Sequence, residues 1–346
     1  MKTIEVVKEK TSSKIQLINK RVLLAKRPKG LPDESTWKLE ELPVPELKVG
    51  EALIQTEYIS LDPAMRGWIR DAKSYLPPVP LGEPMRAAIV GKVIKSKNPN
   101  MKMGEYYTGL SSAQQYVVTD GNGLFKIDPN MAPLTTYLSV LGMPGLTGYF
   151  GLLRIGKPKA GETVLVSGAA GAVGSVVGQI AKIKGCHVVG IAGGKEKCDY
   201  IINQLGFDGA IDYKNEDILV RLEELCPKGI DVYYDNVGGE ILDHALTRLN
   251  RNARIVICGA ISQYNKKPKG PDNYYMILAA RAKMEGFVVI DYFSESATAR
   301  RDLGQWMMEG KLRSMEYVGA GIENFHEAFL RLFSGKKLGK LVLKVA

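Results

Sequence analysis

Thr163-Val164-Leu165-Val166-Ser167-Gly168-Ala169-Ala170-Gly171-Ala172-Val173-Gly174-Ser175, running on from Val176 to Gly194 as VVGQIAKIKGCHVVGIAGG, decides how the rest of the chain is read. The apolar run 163–167 has the length of a buried strand. Glycines follow at 168, 171 and 174, then a small-faced helical segment from about 172 to 184, then a second apolar run at 188–192. Glycine lets the backbone turn tightly and come close to a diphosphate. The helix start then offers unpaired N–H groups and the positive end of its dipole. A strand, glycine turn, helix and second strand in this order predict a dinucleotide site. A plain crossover with packing glycines is the other reading of the same residues.

Outward from this unit, strands alternate with helices. Strands are expected at 163–167, 187–192, 209–212, 230–236, 253–259 and 286–292, with helices at 172–184, 195–205, 215–226, 239–250 and 273–283. Six strands joined by crossover helices imply an α/β fold with a doubly wound parallel sheet. Upstream, 16–27, 51–60, 87–95, 106–107 and 115–119 read as strands between proline-marked turns. Gly91 implies a bend or a close approach. The segment 134–156 turns helical and glycine-punctuated. Downstream, helices at 299–312 and 324–334 precede a strand at 340–345, which should return to the β-rich part because the parallel sheet is already complete. The expected division is 1–133 with 313–346 as a β-rich domain and 134–312 as the nucleotide domain.

A chain of 346 residues can bury at least one large core. It has no apolar run of membrane-span length and no signal-type apolar core near its start, so a cytoplasmic protein is expected, with no membrane partner. Cys186, Cys198, Cys226 and Cys258 follow no disulfide spacing and read as reduced thiols. The net charge is +10, and residues 1–30 hold nine Lys or Arg against two Glu. Elsewhere the bases are interspersed with acids and no aromatic ladder accompanies them. This favours a solvated basic surface over a nucleic-acid partner.

The residues after the second strand bear on which dinucleotide is bound. In NAD sites an acid ends that strand, roughly 20 residues after the glycines, and binds the ribose. Here Ala192-Gly193-Gly194 leads into Lys195, Glu196 and Lys197. Ammonium groups would pair with a 2′-phosphate that a carboxylate would repel, so NADP(H) is expected. The alternative leaves both lysines as surface residues at a helix start, where lysine is mildly unfavourable.

Residues 1–185 contain neither His nor Cys; the histidines are His187, His244 and His326. A zinc alcohol dehydrogenase needs such ligands in its β-rich domain, so no metal is expected. The histidines read as structural. Cys258, without a His or Lys partner, reads as a small apolar residue beside the ligand. Hydride transfer without a metal needs a proton donor or a carbonyl polariser. Among sixteen tyrosines Tyr264 stands out, because Cys258-Gly259-Ala260-Ile261-Ser262-Gln263-Tyr264 follows the fifth strand, beyond whose end ligands bind. A loop tyrosine touching adenine or solvent is the other reading.

Five segments carry a resemblance: Leu61-Asp62-Pro63-Ala64-Met65-Arg66, Gly142 to Leu152 (GMPGLTGYFGL), Gly168 to Ser175, Tyr234 to Glu240 (YDNVGGE) and Cys258 to Asn265. Over nearly its whole length the chain resembles the zinc-free medium-chain dehydrogenases/reductases. Within them it is similar to the double-bond reductases, which include plant 2-alkenal reductases and animal prostaglandin and leukotriene reductases. The resemblance implies a GroES-like β-rich domain, a Rossmann domain and a homodimer. It also implies NADPH-dependent reduction of the C=C bond of α,β-unsaturated aldehydes and ketones, with hydride going to the β-carbon and a proton to the α-carbon. By the same resemblance Gly168, Gly171, Ala172, Val173 and Gly174 cradle the diphosphate. Lys197 and Tyr213, beside Gly193, hold the 2′-phosphate. Asn236, Cys258, Gly259, Ala260, Ile261, Ser262, Gln263 and Tyr264 line the ribose and nicotinamide, with Met143, Thr147, Phe287, Val288 and Val289 also on the cofactor.

Three departures stand out. Ala64 replaces a tyrosine of many relatives, and Ala113 replaces a tryptophan; both bear on pocket shape. Lys337 replaces an asparagine that contacts the cofactor and would reach a phosphate as a point charge. A quinone reductase of the same superfamily is the alternative within enzymes. A nucleotide- or RNA-binding protein without turnover is the alternative outside them.

Overall fold

In the computed structural model, which describes residues 16–345, the strands form three sheets. Part of the basic N-terminal stretch lies outside the described residues. Strands β1 (Ile18–Leu24) and β2 (Trp37–Pro43) pair antiparallel. Strands β3 (Ala52–Ser60), β4 (Arg86–Ser96), β5 (Tyr106–Ser112), β6 (Tyr116–Thr119) and β7 (Leu124–Ile127) supply most of a second, largely antiparallel sheet. Helix α1 (Met65–Trp68) lies between β3 and β4. The close approach expected at Gly91 is present. A Cβ there would stand 2.3 Å from the Gln55 carbonyl oxygen, and the β3–β4 register slips between Thr56 and Tyr58. A 3-10 turn, Leu134–Leu138, packs on β3 and β4. Helix α2 (Met143–Phe150) and a π-helical turn, Gly151–Gly156, then lead into the third sheet.

Strand β8 (Thr163–Ser167) is buried at every residue, as a central strand covered on both faces must be. After it come α3 (Gly174–Ile183), β9 (His187–Ala192), α4 (Lys195–Asn203), β10 (Gly209–Asp212), α5 (Ile218–Leu225), β11 (Ile230–Asp235), α6 (Gly239–Leu246), β12 (Leu249–Ile257), α7 (Tyr275–Ala280) and β13 (Lys283–Gly286). All six strands are parallel, in the order β10-β9-β8-β11-β12-β13. This is the doubly wound order, with its switch point between β8 and β11. Gly178 lets α3 press onto the core, since a Cβ there would fall 1.8 Å from the Phe207 ring.

Three expectations need correction. The sixth strand is Lys283–Gly286, not 286–292, and Val289–Glu295 forms a 3-10 turn. The helix expected at 273–283 ends at Ala280, because Arg281 takes a left-handed φ of 51° and releases the chain early into the strand. The ladder then stops at Gly286, and Phe287, Val288, Val289 and Ile290 line a cleft instead of extending the sheet edge. The fifth strand begins at Leu249, before the expected 253.

The chain closes with α8 (Ser296–Met308), β14 (Glu316–Ala320), α9 (Phe325–Arg331) and β15 (Lys340–Lys344). Strand β15 pairs antiparallel with β3 and parallel with β14, so the last strand does return to the second sheet. Gln179 of α3 braces this return. Its amide donates to the Arg313 carbonyl at 3.1 Å and accepts the Arg313 N–H at 2.8 Å. Among the described residues no helix is long and apolar enough to cross a membrane.

Candidate active site

Residues from both large sheets line a cleft of about 1230 Å³ that runs over the switch point. The glycine turn forms its floor. Gly168 has a φ of 59°, and a Cβ on Gly174 would lie 2.4 Å from the Gly168 oxygen, so the turn closes only with glycines. The N–H groups of Ala172, Val173 and Gly174 find no acceptor among the described residues. A free row of N–H groups at the start of α3 is a donor set that fits a diphosphate. The C-terminal loop crosses over this turn: the Gly339 N–H donates to the Ala170 oxygen at 2.9 Å, and Gly339 pairs with Gly171 as an isolated bridge.

Cations gather at the β9 end. The Lys197 ammonium donates to the Gly335 carbonyl at 2.8 Å. Burial and the neighbouring Lys214 push its pKa down. The Tyr213 ring covers Gly193 so closely that a Cβ there would stand 2.7 Å from it. The nearby Asp212 is occupied by the Gly194 N–H at 2.7 Å and the Asn215 amide at 2.7 Å. Lys337 lines the cleft, and burial together with Lys340 and Lys197, opposed by Asp62, pushes its ammonium down to about 8. Beneath it, the buried Lys340 donates to Asp62 at 2.6 Å and to the Leu61 carbonyl at 2.7 Å.

Asp235 ties three strand ends together. It is 1% exposed and accepts from the Ser167 hydroxyl at 2.8 Å, the Tyr233 hydroxyl at 2.8 Å, and the Val237 and Gly238 N–H groups at 3.0 Å. Its backbone oxygen accepts from the Cys258 and Gly259 N–H groups at 2.9 and 3.1 Å. The positions of Asn236, Gly238 and Gly259 therefore all depend on it.

The far end carries the acids. Tyr264 lines the cleft after the 3-10 turn Ile261–Gln263, and its hydroxyl accepts the Ala260 N–H at 3.3 Å. Burial raises its pKa. Tyr75 stands on the same cleft with its hydroxyl accepting from the Trp68 indole at 3.1 Å; its pKa is also raised by burial. Burial holds Cys258 up at about 12, and the other three thiols are likewise raised by burial, Cys186 and Cys198 to about 11 and Cys226 to about 12. Pro63, Ala64, Leu76, Ala88 and Leu110 form an apolar wall opposite.

A family profile described as N-terminal domain of oxidoreductase matches residues 20–127, and one described as zinc-binding dehydrogenase matches residues 172–304. The chain is 43% identical over 335 residues to the NADPH-dependent curcumin reductase of Escherichia coli, covering 95% of this chain and 97% of that protein. It is 39% identical over 339 residues to the NADP(+)-dependent 2-alkenal reductase of Nicotiana tabacum, covering 96% and 98%. Its structure matches that of CurA from Vibrio vulnificus in complex with NADPH with a TM-score of 0.90, at 42% identity over 94% of this chain and 99% of that one. The chain belongs to the NADPH-dependent double-bond reductases of the medium-chain dehydrogenase/reductase superfamily. With a quinone oxidoreductase of Escherichia coli in complex with NADPH this double-bond reductase shares 20% identity at a TM-score of 0.77, a likeness of fold.

In this double-bond reductase every residue expected at the cofactor lines the cleft except Ala260. Ala260 instead packs toward Gly238 and turns its N–H to the Tyr264 hydroxyl. Of the three departures, Ala64 and Lys337 line the cleft. Ala113 is fully buried in the core of the β-rich half, so the tryptophan missing there changes packing and not the cleft wall. His187 meets the Leu225 carbonyl at 2.9 Å, while His244 lies on the cleft. The zinc in the second profile's description finds few ligands: residues 1–185 hold no His or Cys, and no group of three or more His, Cys, Asp or Glu is placed for a metal among the described residues. Sequence reasoning missed Asp235, Asp62, Tyr75 and Lys340. For Asp235 a signal existed, its place inside Tyr234-Asp235-Asn236-Val237-Gly238-Gly239.

Proposed function

We propose that this reductase uses NADPH to reduce the C=C bond of α,β-unsaturated aldehydes and ketones, without zinc, as a cytoplasmic homodimer. The observation that carries the reading is the order of groups along one cleft: the cations Lys197 and Lys337, then the free N–H row of the glycine turn, then Asn236, then Tyr264 facing an apolar wall. The four unpaired cysteines fit a reducing compartment. Exposed Tyr274, just before α7, and Tyr275 and Leu278 on it, beside the outer strand β13, support a second copy. The working units are 1–133 with 313–346 and 134–312, the 134–138 turn riding on the first unit's sheet.

NADPH, when bound, supplies the hydride. The chain supplies placement and a proton. The N–H groups from Ala172 to Gly174 hold the diphosphate, and Lys197, with Tyr213 over Gly193, holds the 2′-phosphate. Asn236, Met143, Thr147, Cys258, Gly259, Ile261 to Gln263 and Phe287 to Val289 surround the ribose and nicotinamide. Pro63, Ala64, Leu76 and Leu110 take the apolar part of the substrate and exclude water. Tyr264, kept protonated by burial, donates a hydrogen bond to the carbonyl oxygen as it gains negative charge. It then gives the α-carbon its proton, or orients the substrate while water does so.

Purified protein mixed with NADPH and a panel of 2-alkenals, enones and quinones should consume NADPH with the first two. Turnover of quinones alone would move the reading to the quinone reductases, and no turnover with any acceptor would end the enzyme reading. Lys197→Ala should raise the KM for NADPH about 10- to 100-fold, the worth of a hydrogen bond between charged groups, and leave the KM for NADH unchanged. Equal losses for both cofactors would remove Lys197 from the 2′-phosphate.

Lys337 makes binding depend on pH. Its ammonium is half-deprotonated near pH 8 in the free protein, with Lys340, Lys197 and Asp62 around it. A phosphate favours the charged form, so the group takes up a proton on binding. Affinity is then full below pH 8 and falls as pH rises through it. Between pH 7 and pH 9 the Kd for NADPH should rise by about tenfold in wild type, and by much less in Lys337→Met. Calorimetry in buffers of different ionisation enthalpy reads the proton directly; a pH-independent Kd would place Lys337 away from the phosphates.

A further inference from the structure

The segment that carries Tyr264 is held from the opposite side of the cleft. On its own side, the Ile261 N–H reaches the Asn236 oxygen at 3.3 Å, and Ser262 reaches the Val237 oxygen through its N–H at 3.2 Å and its hydroxyl at 2.7 Å. After Gln263 the partners change. Arg70 donates from Nη2 to the Tyr264 carbonyl oxygen. Arg66 donates from Nε to Asn265 Oδ1 at 2.9 Å. Both arginines belong to the α1 region, directly behind the Pro63–Ala64 wall.

Both anchors are set in their own surroundings. Arg66 is 2% exposed, and its guanidinium also spans the Gly30 carbonyl at 2.7 and 3.1 Å. The Arg70 N–H closes α1 onto the Gly67 oxygen at 3.1 Å. All acceptors of the two guanidinium groups among the described residues are neutral oxygens. Such donors are directional, and they are not being used to neutralise a carboxylate.

The geometry has a local consequence. One arginine fixes the carbonyl of residue 264 and the other fixes the side chain of residue 265. The peptide plane between them is clamped, and with it the direction in which the Tyr264 side chain leaves the backbone. The phenol's one partner among the described residues, the Ala260 N–H at 3.3 Å, is at the long end of hydrogen bonding and does little to hold it. We propose that Arg70, seconded by Arg66, is a positioning residue for Tyr264, setting the phenol over the cleft from the opposite sheet. This rests on the role proposed above for Tyr264.

Hydrogen exchange and kinetics on full-length Arg70→Ala, Arg70→Lys and Tyr264→Phe test it. In Arg70→Ala, amides in peptides covering 258–266 should exchange about tenfold faster while those covering 163–192 stay as in wild type. The kcat for an enal should fall roughly tenfold with the Kd for NADPH within about twofold, and Arg70→Lys should recover most of both. In the Tyr264→Phe background, Arg70→Ala should cost little more, because its effect passes through the missing hydroxyl. Unchanged exchange in Arg70→Ala overturns the clamp, and so does full additivity of the two substitutions. If wild type reduces no enal, the proposed function fails, while exchange still decides whether Arg70 holds the segment.

Discussion

Tyr264→Phe is expected to lower kcat for enal reduction by about 100-fold or more, the low end of what a placed general acid contributes, with NADPH affinity changed no more than a few-fold. The phenylalanine ring keeps the body of the side chain in the cleft and removes only the hydroxyl. That hydroxyl is a raised-pKa phenol, so it holds its proton through neutral and mildly alkaline pH, and no loss of kcat between pH 6 and 9 should trace to it. The Ala260 N–H loses only a weak acceptor. Two other protonated groups share this end of the cleft, Tyr75 and Cys258. Single-turnover kinetics in H₂O and D₂O check the assignment. A Tyr264→Phe enzyme with wild-type kcat and an unchanged solvent isotope effect would make Tyr264 a packing residue and leave the proton to Tyr75 or to water.

The second large effect is expected at Asp235. Removing its carboxylate in Asp235→Ala strands the Ser167 and Tyr233 hydroxyls and the Val237 and Gly238 N–H groups in a site that is 1% exposed. Even if water rescues some of them, the loss should be about 3 kcal/mol or more. For a chain of this size that is a fall in Tm of roughly 4 °C or more. Asp235→Asn keeps the shape but points an NH₂ at N–H donors. It should cost less stability and still weaken NADPH binding, because the carboxylate holds Gly238 directly and Asn236 through the Ser167 hydroxyl. Thermal unfolding and NADPH titration of both variants would show it. Wild-type Tm and NADPH affinity in Asp235→Ala would mean that the strand ladder alone holds these loops.

What the sequence made legible was local. The glycine turn, the buried strand β8 and the alternation of strands with crossover helices were readable because each depends on spacing within a few residues or on simple alternation. The basic end of the cleft was readable too, since Lys197 and the missing acid lie next to the turn. The sixth strand was misread because Gly286-Phe287-Val288-Val289-Ile290 has the periodicity of a strand. Only the three-dimensional arrangement shows its ladder stopping at Gly286 so that the following residues face the cleft. Asp235 was invisible as a hub because its partners converge from three strand ends, Ser167 lying 68 residues away. The arginines at 66 and 70 meet their acceptors across 199 and 194 residues, beyond the reach of any local pattern. Ala113 was assigned to the pocket through likeness alone, and the fold puts it in the core.

The burial of the cysteines has a consequence for survival in the presence of substrate. An α,β-unsaturated aldehyde is also an alkylating agent, and its β-carbon, the proposed destination of the hydride, is the atom a thiolate attacks. Three of the four cysteines are buried and the fourth, Cys258, lies on the cleft itself. With their thiols held at about 11 to 12, only on the order of one in ten thousand to one in a hundred thousand is ionised at neutral pH. The packing that fills the core therefore also leaves the catalyst with almost no thiolate for its own substrate to alkylate.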